Sequence, residues 1–161
     1  MEAPEAEPTR ARLNRLAWLL DNSIRIPGTD FRIGLDAILG LVPGAGDAAG
    51  MVLSGYIVLA AARLGAPASV LFRMMLNIAV EGLVGAIPVA GDIFDAAWKA
   101  NQRNAALLNA HLDRPGAAVA SRRSLVLFVV AALTALIVVI SALLFLIAYG
   151  LWSAISAPGR P

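Results

Sequence analysis

Apolar positions along this chain follow several rhythms, and each predicts a different element. Leu13, Leu16 and Leu20 recur at helical spacing, with Arg10, Arg12 and Arg15 between them and Trp18 alongside. This predicts an amphipathic helix over residues 10–20. Its leucine stripe suits packing on a core, while its arginines and Trp18 also suit an anionic membrane surface. Ahead of it, the acidic, proline-containing "MEAPEAEPT" has nothing to bury and predicts a disordered tail over residues 1–9. It lacks the basic start and apolar run of a signal peptide. After the helix, "DNSIRIPGTD" is dense in turn formers, and Asp30 is placed to cap the next helix.

From Phe31 to Leu112, glycine, alanine and branched aliphatics dominate. Charges at Asp36, Asp47, Arg63, Arg73, Glu81 and Asp92 cut the apolar runs into pieces, each shorter than the ~20 residues of a membrane span. These segments are therefore helices of a bundle, or broken segments that survive at membrane depth only inside protein. "RLGAPAS", residues 63–69, divides this core into halves over 31–64 and 67–112. A linker over 113–123 follows. "LVLFVVAALTALIVVISALLFLIAYGLW" then runs to Trp152 without a charge, predicting a transmembrane helix over 124–152 and a tail over 153–161. Arg122 and Arg123 precede it and only Arg160 follows, so the positive-inside bias places the N-terminal domain in the cytoplasm.

"GLVPGAGD" at Gly40–Asp47 returns as "GAIPVAGD" at Gly85–Asp92. At that offset Asp36 aligns with Glu81, Gly40 with Gly85, Pro43 with Pro88, Gly46 with Gly91 and Asp47 with Asp92. Each proline removes a helical hydrogen bond, so the helix kinks or restarts there. After a restart the aspartate lies near the positive end of the new helix, where it gains about 0.3–1 kcal/mol. The expectation is a duplicated pair of broken helices whose glycines allow close packing. If Asp47 and Asp92 meet, with Asp36 and Glu81 behind them, they form a candidate ion or proton site. If they do not, they are helix caps.

Composition narrows the chemistry. The chain is 59% hydrophobic and 15% charged, so lipid or a partner must cover part of it. Its net charge of +2 is not gathered into a basic track, which argues against nucleic acid. With no cysteine, disulfides and thiolate chemistry are excluded. Twelve of the thirteen basic residues are arginine, a hint of a bacterial source. The single histidine, His111, sits beside Asp113 and Arg114 and is expected in solvent, with no nucleophile or orienting group evident. The glycines lack a following lysine or a strand context, so no phosphate loop is present. No ligand spacing marks a metal centre and no cofactor is expected. Asn77, Asn101 and Asn104 are candidates to tie helices together or to contact a partner.

The stretches "LAWLLDNSIRIPGTDFRIGLDAILGLVPGAGD" and "RMMLNIAVEGLVGAIPVAGDIFDAAWKANQRNAALL", residues 16–112 in all, resemble the bacterial family catalogued as domain of unknown function 4112. The resemblance implies a small helical membrane-associated domain and no established activity, and the C-terminal anchor lies outside the family pattern. The expectation is an all-α membrane-associated bundle with two internally repeated broken-helix elements plus one C-terminal transmembrane helix. Its expected setting is the bacterial inner membrane, among lipid, as a homo-oligomer or part of a larger complex. The expected role is non-enzymatic, through protein contacts as an accessory or assembly subunit. The alternatives are a small ion or proton transporter using the repeated aspartates, and a membrane-surface lipid-binding domain using Arg10–Trp18.

Overall fold

Glycine and proline turn the chain at "RLGAPAS". Gly65 adopts φ 85°, a left-handed conformation open to a residue without Cβ. Its N–H donates to the Ala62 carbonyl (3.1 Å) and that of Ala66 to Ala61 (3.0 Å), the paired bonds of a Schellman cap. Pro67 then accepts from Val70 and Leu71 and opens the next helix. Gly65→Ala is expected to cost about 1 kcal/mol. In thermal unfolding that is a midpoint lower by ~2–4 °C, and an unchanged midpoint would refute the cap.

The computed structural model describes residues 3–40, 45–85, 94, 97–114 and 123–156. In chain order these form α1 (Ala3–Asn22), β1 (Ile24–Arg25), β2 (Arg32–Ile33), α2 (Leu35–Gly40), α3 (Ala45–Arg63), α4 (Ala68–Gly85), α5 (Ala100–Leu112) and α6 (Arg123–Ser156). The all-α expectation holds apart from one short hairpin, and α6 is a single helix long and apolar enough to cross a membrane, with mean hydropathy 3.0.

Three differences from the sequence reading have physical causes. Helix α1 begins at Ala3, inside the acidic segment, and carries Pro8. Negative charge is favourable near a helix N-terminus, which rewards a start among glutamates. "IRIPGTDFRI" forms an antiparallel hairpin and not merely a turn, pairing Ile24 with Ile33 and Arg25 with Arg32. At its tip Thr29 N–H donates to the Ile26 carbonyl (3.2 Å) with Gly28 at φ 81°, so Pro27 and Gly28 occupy the central positions of a type II turn. Asp30 consequently sits beside that turn, with β2 between it and α2, and is not the cap expected of it.

Helices α3 and α4 form a central antiparallel pair. Helices α1 and α5 cover one side of it, with α2 against α1 and α3, and α6 covers the other. Leu13, Ala17 and Leu20 from α1 meet Ile57 and Val58 of α3, Leu71, Met74 and Ile78 of α4, and Leu108 of α5 in one core. Val129, Leu133 and Ile140 of α6 close it from the opposite face, each worth about 1.5–3 kcal/mol of burial. Two glycines admit α6: a Cβ on Gly55 would lie 3.5 Å from Leu133 Cδ1, and one on Gly82 would lie 2.9 Å from Ile140 Cδ1 and 3.7 Å from Met51 Sδ. Beyond Ile140 every described side chain of α6 is exposed. The helix thus has a packed first half and a free second half.

The bundle has two distinct ends. At one, the C-terminus of α1, the N-terminus of α5, the N-terminus of α3 and the C-terminus of α4 gather around the hairpin and α2, and Ile140 leaves the bundle there. At the other, Arg10 of α1 meets Asn109 and Asp113 at the end of α5, on the side where α3 turns into α4.

Candidate functional site

Helix α5 starts without a cap of its own. Lys99, which precedes it, has φ 51° and makes no side-chain capping bond, a left-handed backbone that is uncommon for a residue with a Cβ. The cap comes from α1. Asp21, 3% exposed, accepts from the Gln102 backbone N–H (2.7 Å) and from Asn101 Nδ2 (2.7 Å). Gln102 is the third residue of α5, so its N–H is one of the donors a helix start leaves unpaired. Lys99 Nζ donates to Asn22 Oδ1 (2.5 Å) and adds a favourable charge near Asp21. Asp36 of α2 also stands beside Asp21. Burial pushes the Asp21 carboxyl up from its ordinary range, against the bonds from Asn101 and Gln102 that favour its charged form. The junction joins α1 to the start of α5, with α2 alongside.

A second polar thread ties α4 to α5. Asn104, fully buried, accepts from Asn77 Nδ2 (2.8 Å) and donates to the Met74 carbonyl (3.2 Å). Trp98 Nε1 donates to the Asn77 carbonyl (3.2 Å), stacks on Phe94, and carries the Arg103 guanidinium 4.1 Å from its ring centre. Next to this thread an open groove of 480 Å³ between α4 and α5 is lined by Arg73, Leu76, Asn77, Arg103 and Leu107.

Of the residues singled out by the sequence, Asn77, Asn101 and Asn104 stand in these threads. Asp36 lies in the first turn of α2, where its Oδ1 also accepts from Ala37 N–H (2.8 Å). Gly40 closes α2 and Gly85 closes α4, while the backbone of Gly46 and Asp47 forms the first turn of α3. Glu81 is partly buried on α4, one turn before Gly85. Pro43, Pro88, Gly91 and Asp92 lie outside the described residues, and so does the meeting of Asp47 with Asp92. Arg10 is folded onto α5, with Nε to Asn109 Oδ1 (2.8 Å) and Nη1 to Asp113 Oδ1 (2.7 Å), whereas Arg12, Arg15 and Trp18 are exposed.

His111 is buried, contrary to the solvent position expected of it. Asn101, Asn104, Leu108 and His111 follow one another at three- and four-residue steps, so they share the face that packs on the bundle. Asp21, Lys99 and Gln102 were not singled out. The available signal was that Asp21 follows Leu13 and Ala17 at four-residue steps, on the side of α1 that is buried. Among the described residues, no group of three or more histidines or carboxylates could hold a metal ion.

Comparison with known proteins gives one family match. The family model described as Domain of unknown function (DUF4112) matches residues 9–112, which takes in α2 to α5, the hairpin and most of α1, and leaves α6 outside. No curated protein and no solved structure matches the chain.

Proposed function

The chain belongs to the DUF4112 family, and from that premise we propose that it is a non-enzymatic integral protein of the bacterial inner membrane. Its bundle faces the cytoplasm and works through protein contacts as an accessory or assembly subunit. The observation that carries this reading is the first half of α6. It is fixed to the bundle through Leu133 and Ile140, yet turns Leu127 (62% exposed), Phe128 (64%) and Val130 outward. A contiguous apolar face on a part rigidly attached to the bundle is the usual mark of an interaction surface. The anchor and the bundle act as one unit, and the unused face belongs to another polypeptide. The glycines of the repeated elements serve packing in this reading.

The test is mass determination of the full chain in nanodiscs, with ion flux measured in liposomes. The parent is expected to assemble beyond the monomer and to pass no ions. Leu127→Ala with Phe128→Ala is expected to shift it toward monomer. A parent that conducts, and loses conduction while keeping its assembly in Asp47→Asn with Asp92→Asn, would establish transport and sink the accessory reading.

A further inference from the structure

Hairpin register places Arg25 directly opposite Arg32, and like charges facing each other across two strands weaken the pair. Asp30, 3.7 Å from Arg25, offsets one of them. The hairpin and the elements that flank it also carry exposed apolar side chains: Phe31 (61% exposed) and Ile26 in the hairpin, Leu35 and Ile38 in α2, and Trp18 near the end of α1. Paired cations set among aromatic and branched apolar groups match the chemistry of a bilayer interface, where anionic headgroups meet acyl chains.

The length of α6 brings this end to that interface. From Ser141 to Ser156 the free half extends about 24 Å, less than the ~30 Å of a hydrocarbon core. A span of ~20 residues counted back from Ser156 begins at Ile137. Ile137 packs on the core and Ile140 is buried against it, beside Gly82 and Met51. The end of the bundle holding Gly82, Met51, α2 and the hairpin therefore reaches the hydrocarbon boundary. A span starting at Ser124 would instead carry the exposed Arg12, Arg15, Arg73 and Arg103 into hydrocarbon, which charged side chains resist. With the span at the C-terminal half, those arginines stay in water.

We propose that the hairpin end of the bundle is a lipid-docking surface. Arg25 and Arg32 contact the headgroups of an anionic bilayer, and Phe31, Ile38 and Trp18 reach the acyl boundary. This deepens the anchored reading above and rests on it. The surface is distinct from Arg12 and Arg15, which precede Trp18 by one turn and more along α1.

The chain lacks cysteine, so single nitroxide labels can be placed on the full protein in phosphatidylglycerol–phosphatidylcholine vesicles, through Phe31→Cys, Ile38→Cys, Arg12→Cys and Phe145→Cys. Each variant is kept only if it elutes from detergent as the parent does. Labels at 31 and 38 are expected to collide with oxygen from the lipid and to lose collisions with an aqueous nickel chelate, while the label at 12 does the reverse. Adding Arg25→Glu with Arg32→Glu is expected to restore nickel access at 31, whereas adding Arg15→Glu is not. Nickel access at 31 and 38 equal to that at 12 overturns the proposal. Shielding of both from nickel and oxygen alike also overturns it, since a protein then covers the surface. A label at 145 that is open to nickel overturns the anchored reading itself, a separate failure.

Discussion

Gly34→Ala is expected to destabilise the protein more than any other addition of one methyl group among the described glycines. A Cβ at this position would overlap the Leu20 carbonyl and the Asp21 amide nitrogen. Side chains can rotate away from a new methyl, but the backbone of a helical turn cannot. Overpacking typically costs 1–3 kcal/mol, and with only backbone to yield, a loss of about 3 kcal/mol or more follows. That corresponds to a thermal midpoint lower by ~6–12 °C. Gly50→Ala is the matched control, because a Cβ there meets nothing within 4 Å, and alanine in a helix interior stabilises by about 0.5–1 kcal/mol. If Gly34→Ala melts with the parent, the chain leaving β2 does not press against the last turn of α1.

The second large effect is expected at Asp21. Asp21→Ala strands Asn101 Nδ2 and the Gln102 N–H in a buried site. Each unsatisfied donor costs about 1–3 kcal/mol, so a loss of ~2–6 kcal/mol is expected in denaturant or thermal unfolding. Asp21→Asn is milder, since the amide oxygen still accepts one bond. The two also differ from the parent in pH dependence. Burial raises the Asp21 pKa in the folded chain above its ordinary value of 3.8, so between those values the folded state binds more protons than the unfolded state. Stability then falls as pH rises through this window. The contribution is fully present below the unfolded value and is lost as pH climbs past the folded one. The stability difference between parent and Asp21→Asn is therefore expected to move against the parent as pH rises from the acid side toward neutrality. A constant difference across that range would mean that burial does not raise the Asp21 pKa in the folded chain.

Much of this architecture is written in residue order, and the exceptions have identifiable causes. The long run ending at Trp152 fixes a helix, because nothing in it offers a break, and Gly65 with Pro67 marks the only sharp turn between α3 and α4 that the pattern required. Asp47 falls in the first turn of α3, while Pro43 and Pro88 lie outside the described residues. The hairpin was not legible, because strands of two residues are too short to establish an alternation. His111 was misplaced because polar neighbours along the chain hid its membership of a buried stripe, which becomes visible only when α5 is laid on α4. The polar junction escaped for a related reason: Asp21 acts on a helix eighty residues further along the chain, and local sequence carries no sign of a cap supplied from so far away. Nor did the apolar run reveal that half of α6 belongs to the bundle. That depended on Gly55 and Gly82, whose missing side chains read equally well as flexibility or as a socket.

The place of α6 in chain order has a consequence for biosynthesis. At ~5–20 residues per second, α1 to α5 are complete some seconds before the last turns of α6 leave the ribosome. During that interval the Gly55–Gly82 face has no cover from its own chain. On the anchored reading proposed above, the step that delivers α6 to the membrane is also the step that closes the core, so an anchor captured late leaves a folded bundle open to aggregation.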